Sequence, residues 1–369
     1  MTAPGPPSGE ALAARALALC AIPSPVGREE AICDHVEAWA RPRAAALERI
    51  GNSLVVDVDG AIGAGEAQGR RPLVLLCGHL DTIPVPEPDR GRAPRLEGGR
   101  LVATGSSDMK GGLAVAMELA ERLPAAARFC DLGLVLYARE EGPFLENELG
   151  EVLRRVPALS RAGLALCLEP TDNRLQLGCV GSIHAALAFR GRSAHSARPW
   201  QGENAVHRAG ALLSELAGRP PREAHSGGLV FREVMSVTRI EGGRARNVVP
   251  DLCTLNLNFR FAPDKSLEAA AEEVQALAAR FGAEVVLSDL SPACPAFADR
   301  PLVRRFLERS GVAAEAKQAW TDVARLAQAG IAAANFGPGA TAQAHQAGEW
   351  VEVGALEEGY RILEAFLGN

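Results

Sequence analysis

Histidines and carboxylates recur in this sequence shortly after apolar runs. His79 and Asp81 follow the run 73–77, "LVLLC", and Glu169 follows 164–168, "LALCL". The further members are Asp108 in "TGSSDMKGG", Glu140 and Glu141 in "AREEGP", and His345 in "GATAQAH". Imidazole and carboxylate together are ligands that suit a divalent ion such as zinc. The set therefore predicts a metal site, provided that the fold brings its members together.

Each member also has an ordinary structural explanation when it is taken alone. His79 is then a core histidine, Asp108 a helix cap and Glu169 a turn residue. Glu140 with Glu141 is a solvated loop pair, and His345 is a surface histidine. In an open α/β sheet, residues just beyond the carboxyl ends of the strands converge on one crevice, whatever their separation in sequence. The recurrence of the pattern at several strand ends therefore favours a shared site.

The adjacent pair Glu140 and Glu141 indicates a division of labour. Consecutive side chains point in different directions, so one carboxylate can bind metal while the other acts as the general base on an activated water. Asp81 lies two residues beyond His79. It is close enough to bond that imidazole or to orient a neighbouring ligand.

Two kinds of apolar pattern predict the elements that carry these residues. Continuous apolar runs are typical of parallel strands that are covered on both faces. Such runs lie at 73–77, 132–137, 163–168 and 331–336. Amphipathic helices are predicted at 111–123 and 355–367, where apolar residues recur at intervals of three and four. We expect an α/β domain with a mostly parallel sheet flanked by helices.

The middle of the chain has the alternating pattern of half-exposed antiparallel strands. In 253–261, "CTLNLNFRF", every second residue is apolar. From 182 to 288 the predicted order is strand, helix, strand, strand, helix, strand, the order of a ferredoxin-like unit. The stretch "AHSGGLV" near His225 is predicted to be a loop. We expect a small α+β domain at 179–291, inserted into a zinc-binding α/β domain made of 1–178 and 292–369.

Composition narrows the class of partner. The chain has 369 residues and a formal net charge of -6, which gives no electrostatic reason to expect nucleic acid or an anionic membrane. No G-x-G-x-x-G or P-loop pattern, secretion signal or membrane-length apolar run is found. The eight cysteines are scattered, as in a reduced cytoplasmic protein. Low-complexity sequence is confined to the first ten residues and a Gly/Ala-rich loop near 60–69.

Several short motifs resemble successive landmarks of one enzyme family. They are "GHLDT", "GSSDMKGGLA", "AREEGP", "LEPT", "GRSAHSARPWQGENAVH", "RNVVP", "NFRFAP", "WTDVAR" and "NFGPGATAQAH". In this order they are similar to the dinuclear zinc peptidase and deacylase family that contains acetylornithine deacetylase, carboxypeptidase and succinyl-diaminopimelate desuccinylase. The resemblance runs from about Pro23 to His345. It is strongest to the actinobacterial desuccinylases, through "GCVGSI", "AHSARPW", "NLNFRFAPD" and "WTDVAR".

The resemblance implies a metal-binding role for five of these residues. His79 and Glu169 would hold one Zn2+, Glu141 and His345 would hold a second, and Asp108 would bridge the two ions. Each subunit would therefore bind two Zn2+, for which Co2+ is the expected substitute.

The same resemblance assigns the remaining site residues. Asp81 would support His79, and Glu140 would be the general base. The inserted domain would be a lid or dimerisation domain, and His195 would reach the substrate carbonyl across a homodimer formed by it. Asn247 and Arg260 would contact the substrate. Without the resemblance, His195 is a loop histidine and Arg260 is an exposed residue of an alternating strand. His184 and His207 are predicted to be structural.

The turn "NFGPGAT" carries two further substrate-binding candidates, Gly337 and Gly339. Glycine-rich turns can present backbone N–H groups to a carboxylate. A plain tight turn is the alternative.

The implied reaction is hydrolysis of the amide between an acyl group and the amine of an amino acid. The substrate expected from the resemblance is N-succinyl-L,L-diaminopimelate, in diaminopimelate and lysine biosynthesis. N-acetylornithine deacetylation or dipeptide cleavage by the same machinery is the alternative. A catalytically silent homologue that binds a small molecule is the alternative from another class.

Overall fold

The computed structural model describes residues 6–63 and 71–369. The start of the Pro/Gly-rich tail and most of the Gly/Ala-rich loop near 60–69 lie outside the described residues. Within them, the α-helices are α1 (Gly9–Cys20), α2 (Glu30–Ala40), α3 (Gly111–Arg122), α4 (Leu149–Arg155), α5 (Ala205–Gly218), α6 (Leu267–Arg280), α7 (Pro301–Ser310), α8 (Val323–Gln328) and α9 (Val353–Leu367). The β-strands of the same residues are β1 (Ala46–Ile50), β2 (Ser53–Asp57), β3 (Leu73–His79), β4 (Arg95–Glu97), β5 (Arg100–Val102), β6 (Asp131–Tyr137), β7 (Leu164–Cys167), β8 (Leu175–Leu177), β9 (Gly181–Arg190), β10 (Arg222–Ser226), β11 (Leu229–Gly242), β12 (Leu252–Phe261), β13 (Glu284–Ser291), β14 (Ala314–Ala316), β15 (Ala333–Asn335) and β16 (Trp350–Glu352).

The larger sheet has eight strands in the order β1-β2-β6-β3-β7-β15-β8-β14. Its centre is parallel, because β3 runs in the same direction as β6 and β7, and β15 in the same direction as β7. Every residue of β3 is buried, and so is every residue of β6 after the first. These strands are apolar without alternation because both of their faces are covered. The predicted mostly parallel sheet is confirmed.

Helices α1, α3 and α9 pack against one another, and α3 also contacts β3. Helix α1 begins after Ser8, whose hydroxyl oxygen accepts the Ala11 N–H as an N-cap. Helices α3 and α9 occupy the two segments in which apolar residues recur at helical spacing. Their apolar stripes include Leu113 and Leu363, both of which are buried.

The smaller sheet is antiparallel, with strands in the order β10-β11-β12-β9-β13. Strand β12 pairs with β9 from Leu252 opposite Arg190 to Phe261 opposite Gly181. Burial alternates along β12 because one face packs on a core that α5 and α6 share, while the other face is polar. Apart from β10, the strand order is that of a ferredoxin-like unit. The predicted separate antiparallel domain is confirmed.

The prediction of a loop at "AHSGGLV" is wrong. Strands β10 and β11 form a hairpin here, with Ser226 opposite Leu229. Gly227 and Gly228 both have positive φ, 57° and 81°, which suits a two-residue hairpin turn. Most residues of β10 are polar, so its sequence lacks the apolar alternation that indicates a strand. The Gly-Gly turn was the feature from which the hairpin could have been predicted.

The described chain forms two compact units. The first contains 6–63, 71–178, Phe297–Glu315 and Asp322–Asn369, and the second contains Cys179–Ala296 and Ala316–Thr321. Residues 292–296 and 316–321, which the sequence-based boundaries assign to the first domain, fall in the second unit. The reason is local pairing, since Cys179 and Cys294 exchange backbone hydrogen bonds and Trp320 donates to the Pro292 carbonyl. No helix of the described residues combines the length and apolarity needed to cross a membrane.

Candidate metal centre and active site

His79 is the last residue of β3, and its side chain is fully buried. Its Nδ1 lies 3.0 Å from the backbone carbonyl oxygen of Asp81, and its Nε2 lies 3.1 Å from Oδ1 of Asp108. A proton on Nδ1, donated to the carbonyl, leaves the Nε2 lone pair free to bind metal. Strand β3 therefore delivers an imidazole with a set orientation to the edge of the sheet.

Asp108 lies in a single π-helical turn, Ser106–Lys110, that precedes α3. Its φ of -121° and ψ of 89° are not helical, and its peptide bond to Met109 is cis. The N-cap of α3 is Lys110, so Asp108 does not cap that helix. Its Oδ1 faces His79, and its Oδ2 lies 3.8 Å from Nε2 of His345. The two oxygens of one carboxylate therefore face two different histidines.

A second ligand pair forms between segments far apart in sequence. Nε2 of His345 lies 2.8 Å from Oε2 of Glu141. The Glu141 side chain is buried, whereas 56% of the His345 side chain is exposed. This imidazole is therefore the solvent-facing member of the set.

Donor atoms of these residues form overlapping groups, each with its atoms within 4.8 Å of one another. The groups are His79, Asp108 and Glu169; Asp108, Glu141 and His345; and His79, Glu140 and Glu141. The first two groups share Asp108 and together contain two imidazoles and three carboxylates. That donor set fits zinc.

The charges in this cluster shift the pKa values of its members. Burial lowers the pKa of His79, but the hydrogen bond to Asp108 and the nearby carboxylates outweigh it, so the pKa is well above its usual value. The hydrogen bond to a glutamate raises the pKa of His345 to about 9. Burial and then the charge of Glu169 raise the pKa of Glu140. The cluster is rich in negative charge, which bound divalent cations would offset.

The sequence left two roles open for the Asp81 carboxylate, a bond to the His79 imidazole or the orientation of a neighbouring ligand. Its Oδ1 lies 3.7 Å from Nδ1 of His79, and the imidazole bonds the Asp81 backbone carbonyl instead. The buried carboxylate accepts the backbone N–H groups of Glu140 and Glu141, at 3.1 and 2.9 Å. Asp81 therefore fixes both the imidazole and the glutamate pair, by its backbone and its side chain respectively.

The loop after the glutamate pair is tied to α8 through the buried carboxylate of Asp322. Asn147 donates its side-chain N–H to Asp322 at 2.7 Å, and Arg325 donates Nε–H at 3.0 Å. Arg325 also donates to the Phe144 carbonyl and lies 3.9 Å from the centre of that ring. The motif "WTDVAR" thus contributes an anchor for residues 144–147, a role that the sequence did not predict.

The remaining candidates with side chains lie in the second unit. His195 is exposed and forms a β-bridge with Val248, while the neighbouring Ser196 N–H donates to the Asn247 carbonyl. Asn247 is exposed too. Arg260, in β12, is half-buried and donates Nε–H to Asn258 at 3.0 Å; burial lowers its pKa. The structure brings His195 and Asn247 into neighbouring segments.

Gly337 and Gly339 have an internal role in the structure. The Gly337 N–H is donated to the Thr171 hydroxyl at 3.0 Å, so it is not presented to a ligand. A Cβ at Gly337 would lie 2.5 Å from the Glu169 carbonyl oxygen, and one at Gly339 would lie 2.2 Å from the Ser107 carbonyl oxygen. Glycine is needed because the turn packs directly against the segments that carry Glu169 and Asp108.

Glu349 is a buried carboxylate that the sequence prediction missed. It accepts backbone N–H groups from the segment that carries Asp108. The feature that could have indicated its role is its place in the sequence, four positions after His345 in a short strand-forming region. His184, predicted to be structural, bonds Asn256 and Asn258, and His207 is exposed on α5.

Sequence comparison identifies relatives of this chain. A family model described as a peptidase dimerisation domain, M20_dimer, matches residues 177–286. A Mycobacterium tuberculosis protein provisionally named succinyl-diaminopimelate desuccinylase DapE is 38% identical over 353 residues, 95% of this chain and 96% of that protein. The succinyl-diaminopimelate desuccinylase of Corynebacterium glutamicum is 33% identical over 356 residues, 94% of each chain.

Solved structures share the fold at low sequence identity. Aminopeptidase PepT from Bacillus cereus has a TM-score of 0.77 at 17% identity, over 98% of each chain. The YXEP protein of Bacillus subtilis, a dinuclear metal-binding peptidase from the M20 family, has a TM-score of 0.64 at 14% identity, over 97% of each chain.

The fold and the relatives define a metallohydrolase with an inserted dimerisation domain. The chain belongs to the M20 family of hydrolases. Its similarity to proteins named as desuccinylases extends over almost the whole chain.

Proposed function

We propose that this chain is a dinuclear zinc amidohydrolase that removes the succinyl group from N-succinyl-L,L-diaminopimelate, in diaminopimelate and lysine biosynthesis. The observation that carries the metal assignment is the sharing of Asp108 between two groups of ligand atoms. The substrate assignment is supported by the names of the two relatives.

Each subunit would hold two Zn2+, with Co2+ as a substitute. His79 and Glu169 would bind one ion, Glu141 and His345 the other, and Asp108 both. When bound, the two ions supply Lewis-acid activation of water and of the substrate carbonyl.

Glu140 is the proposed general base. It is adjacent to a metal-binding glutamate, and one of its carboxylate oxygens lies within 4.8 Å of ligand atoms of His79 and Glu141, so it is placed to take the proton of the attacking water and pass it to the leaving amine. The amide C–N bond breaks as the amine nitrogen receives that proton. Asp81 holds the backbone of Glu140 and Glu141 in place, which keeps base and ligand in fixed relation.

The second unit would supply the substrate contacts. His195 would donate a hydrogen bond to the oxyanion that develops on the carbonyl, and Asn247 and Arg260 would bind the substrate. The dimerisation-domain match over 177–286 supports a homodimer formed through this unit. We place the enzyme in the cytoplasm, in keeping with eight buried cysteines that form no disulfide among the described residues.

A substrate panel tests the proposal. Zinc-loaded protein is offered N-succinyl-L,L-diaminopimelate, N-acetylornithine, other N-acetyl and N-formyl amino acids and simple dipeptides, and kcat/KM is compared. We expect the highest value for the succinyl substrate. A higher value for N-acetylornithine or a dipeptide would reassign the substrate. Two bound zinc ions without turnover of any amide would indicate a catalytically silent homologue.

A further inference from the structure

The carboxylate of Glu349 collects three backbone N–H groups from one short segment. Its Oε2 accepts the Gly105 N–H at 2.6 Å, and its Oε1 accepts those of Ser107 and Asp108 at 2.7 and 2.9 Å. Glu349 itself is 2% exposed. Three hydrogen bonds to one buried side chain, accepted through both of its oxygens, form a rigid attachment.

The segment needs such an acceptor because its backbone is not regular. Gly105 has a φ of 80°, and Asp108 lies outside the helical region. Of the four backbone N–H groups from Gly105 to Asp108, that of Ser106 is donated to the carbonyl oxygen of Ala103. The other three go to Glu349. A buried N–H without a partner is energetically costly, so one side chain replaces what helix or sheet bonding would supply elsewhere.

Glu349 is held in place by its own main chain. Its carbonyl oxygen accepts the Ala103 N–H at 2.9 Å, and the following strand, β16, pairs with β5 from Trp350 opposite Val102. The far end of the π-helical turn is held by Lys110, whose Nζ donates to the carbonyls of Leu19 and Ile22 at 3.2 and 2.8 Å. Asp108 therefore sits between two anchors.

We propose that Glu349 is a positioning residue that aims the two oxygens of Asp108 at the two metal ions. This inference rests on the proposed function, in which Asp108 bridges those ions. Glu349 touches neither metal nor substrate and acts through the backbone of Asp108. Groups that orient ligands in this way typically change metal affinity 10- to 100-fold when they are replaced.

The variant Glu349→Gln tests the role. The amide of glutamine keeps one oxygen acceptor but replaces the second oxygen with an NH2 group, which is a donor. A donor cannot accept a backbone N–H, so at least one of the three hydrogen bonds is lost. We expect a folded protein whose Zn2+ affinity, measured by competition with a chromophoric chelator, is about 10- to 100-fold weaker. The visible absorption spectrum of the Co2+ form should change as well, because the ligand geometry is altered.

The matched control is Glu352→Gln. Glu352 ends β16 and forms an exposed ion pair with Arg100, an interaction that contributes little to stability. Its Zn2+ affinity and Co2+ spectrum should equal those of the wild type. A purely structural role for Glu349 would lower the melting temperature without changing either metal readout, and that result would overturn the inference.

Two further variants distinguish a failure of the positioning role from a failure to fold and from a failure of the proposed function. If Glu349→Gln does not fold, Glu349→Asp keeps the charge on a shorter arm; a folded Asp variant with at least tenfold weaker Zn2+ binding supports the inference, and an unfolded one or wild-type affinity overturns it. Asp108→Asn tests the proposed function itself. Weak Zn2+ binding in Asp108→Asn together with normal binding in Glu349→Gln would overturn only the positioning role of Glu349. Normal Zn2+ binding in Asp108→Asn would overturn the proposal that Asp108 bridges the two ions.

Discussion

The two units of this protein hold their candidate residues in opposite ways. In the first unit, His79 and Asp81 are fully buried, and their polar atoms are bonded to backbone or to other members of the site. In the second unit, His195 and Asn247 are exposed. The first unit therefore contains a preorganised charged centre, whereas the second presents polar groups at its surface. Preorganised buried polar groups suit metal binding, although their burial costs folding free energy. Exposed groups suit contact with a ligand that binds and dissociates in each catalytic cycle.

The sheets explain the difference. Parallel strands buried on both faces, such as β3, can place polar residues only at their ends, where Asp108 and the other ligands gather. A half-exposed antiparallel strand such as β12 presents a polar residue at every second position, as Arg260 shows. Substitutions of the metal-binding residues in the first unit should therefore damage metal binding, whereas substitutions in the second unit should damage catalysis alone.

The largest effect is expected from Asp108→Ala. Because this carboxylate faces both histidines, its loss should weaken both Zn2+ sites and abolish turnover. Elemental analysis of the bound zinc measures this loss. Asp34→Ala, at an exposed aspartate, is the control. Wild-type stoichiometry in Asp108→Ala would break the proposed division between the units.

Glu140→Gln should lower kcat by about 10²- to 10⁴-fold, the usual contribution of a general base, while zinc content and fold are kept. Glu146→Gln, on the exposed part of the same loop, is the matched control and should be near wild type. Activity of Glu140→Gln within a few fold of wild type would reassign the base.

His195→Ala should reduce kcat by roughly 10²- to 10³-fold, as for loss of an oxyanion donor, without changing zinc content or melting temperature. His225→Ala, at an exposed position of the same unit, is the control and should retain activity. A loss of zinc in His195→Ala would contradict the contrast between the units.

A mixing experiment sharpens the assignment of His195. If this residue serves the partner's active site, His195→Ala and Glu140→Gln subunits should recover part of the activity in heterodimers. Absence of recovery, with subunit exchange verified by mass spectrometry, would place His195 in the site of its own subunit.

The smallest effect is expected from Val286→Thr on β13, where the valine is 67% exposed. Threonine keeps the β-branched shape, so the free energy of unfolding should change by about 0.5 kcal/mol or less in urea titrations. A larger change that depends on protein concentration would indicate that this position is covered in a dimer.

The sequence by itself determined the type and order of the main elements. Apolar runs without alternation specify buried strands, and the strict alternation in 253–261 specifies a half-exposed one, because side-chain periodicity is a local property of the backbone. The hairpin at Gly227 and Gly228 escaped this reasoning, since its strand β10 is mostly polar and only the turn carries a signal. The residue types at the strand ends were also sufficient to predict a metal site.

Only the tertiary structure decided how those side chains are aimed. Sequence spacing placed Asp81 beside His79, but the fold directs its carboxylate to the backbone of Glu140 and Glu141. Glu349 lies 241 residues from Asp108 and bonds its backbone N–H. Such contacts have no local pattern, because backbone N–H groups are the same in every residue except proline. Their partners become visible only when the folded chain brings distant segments together.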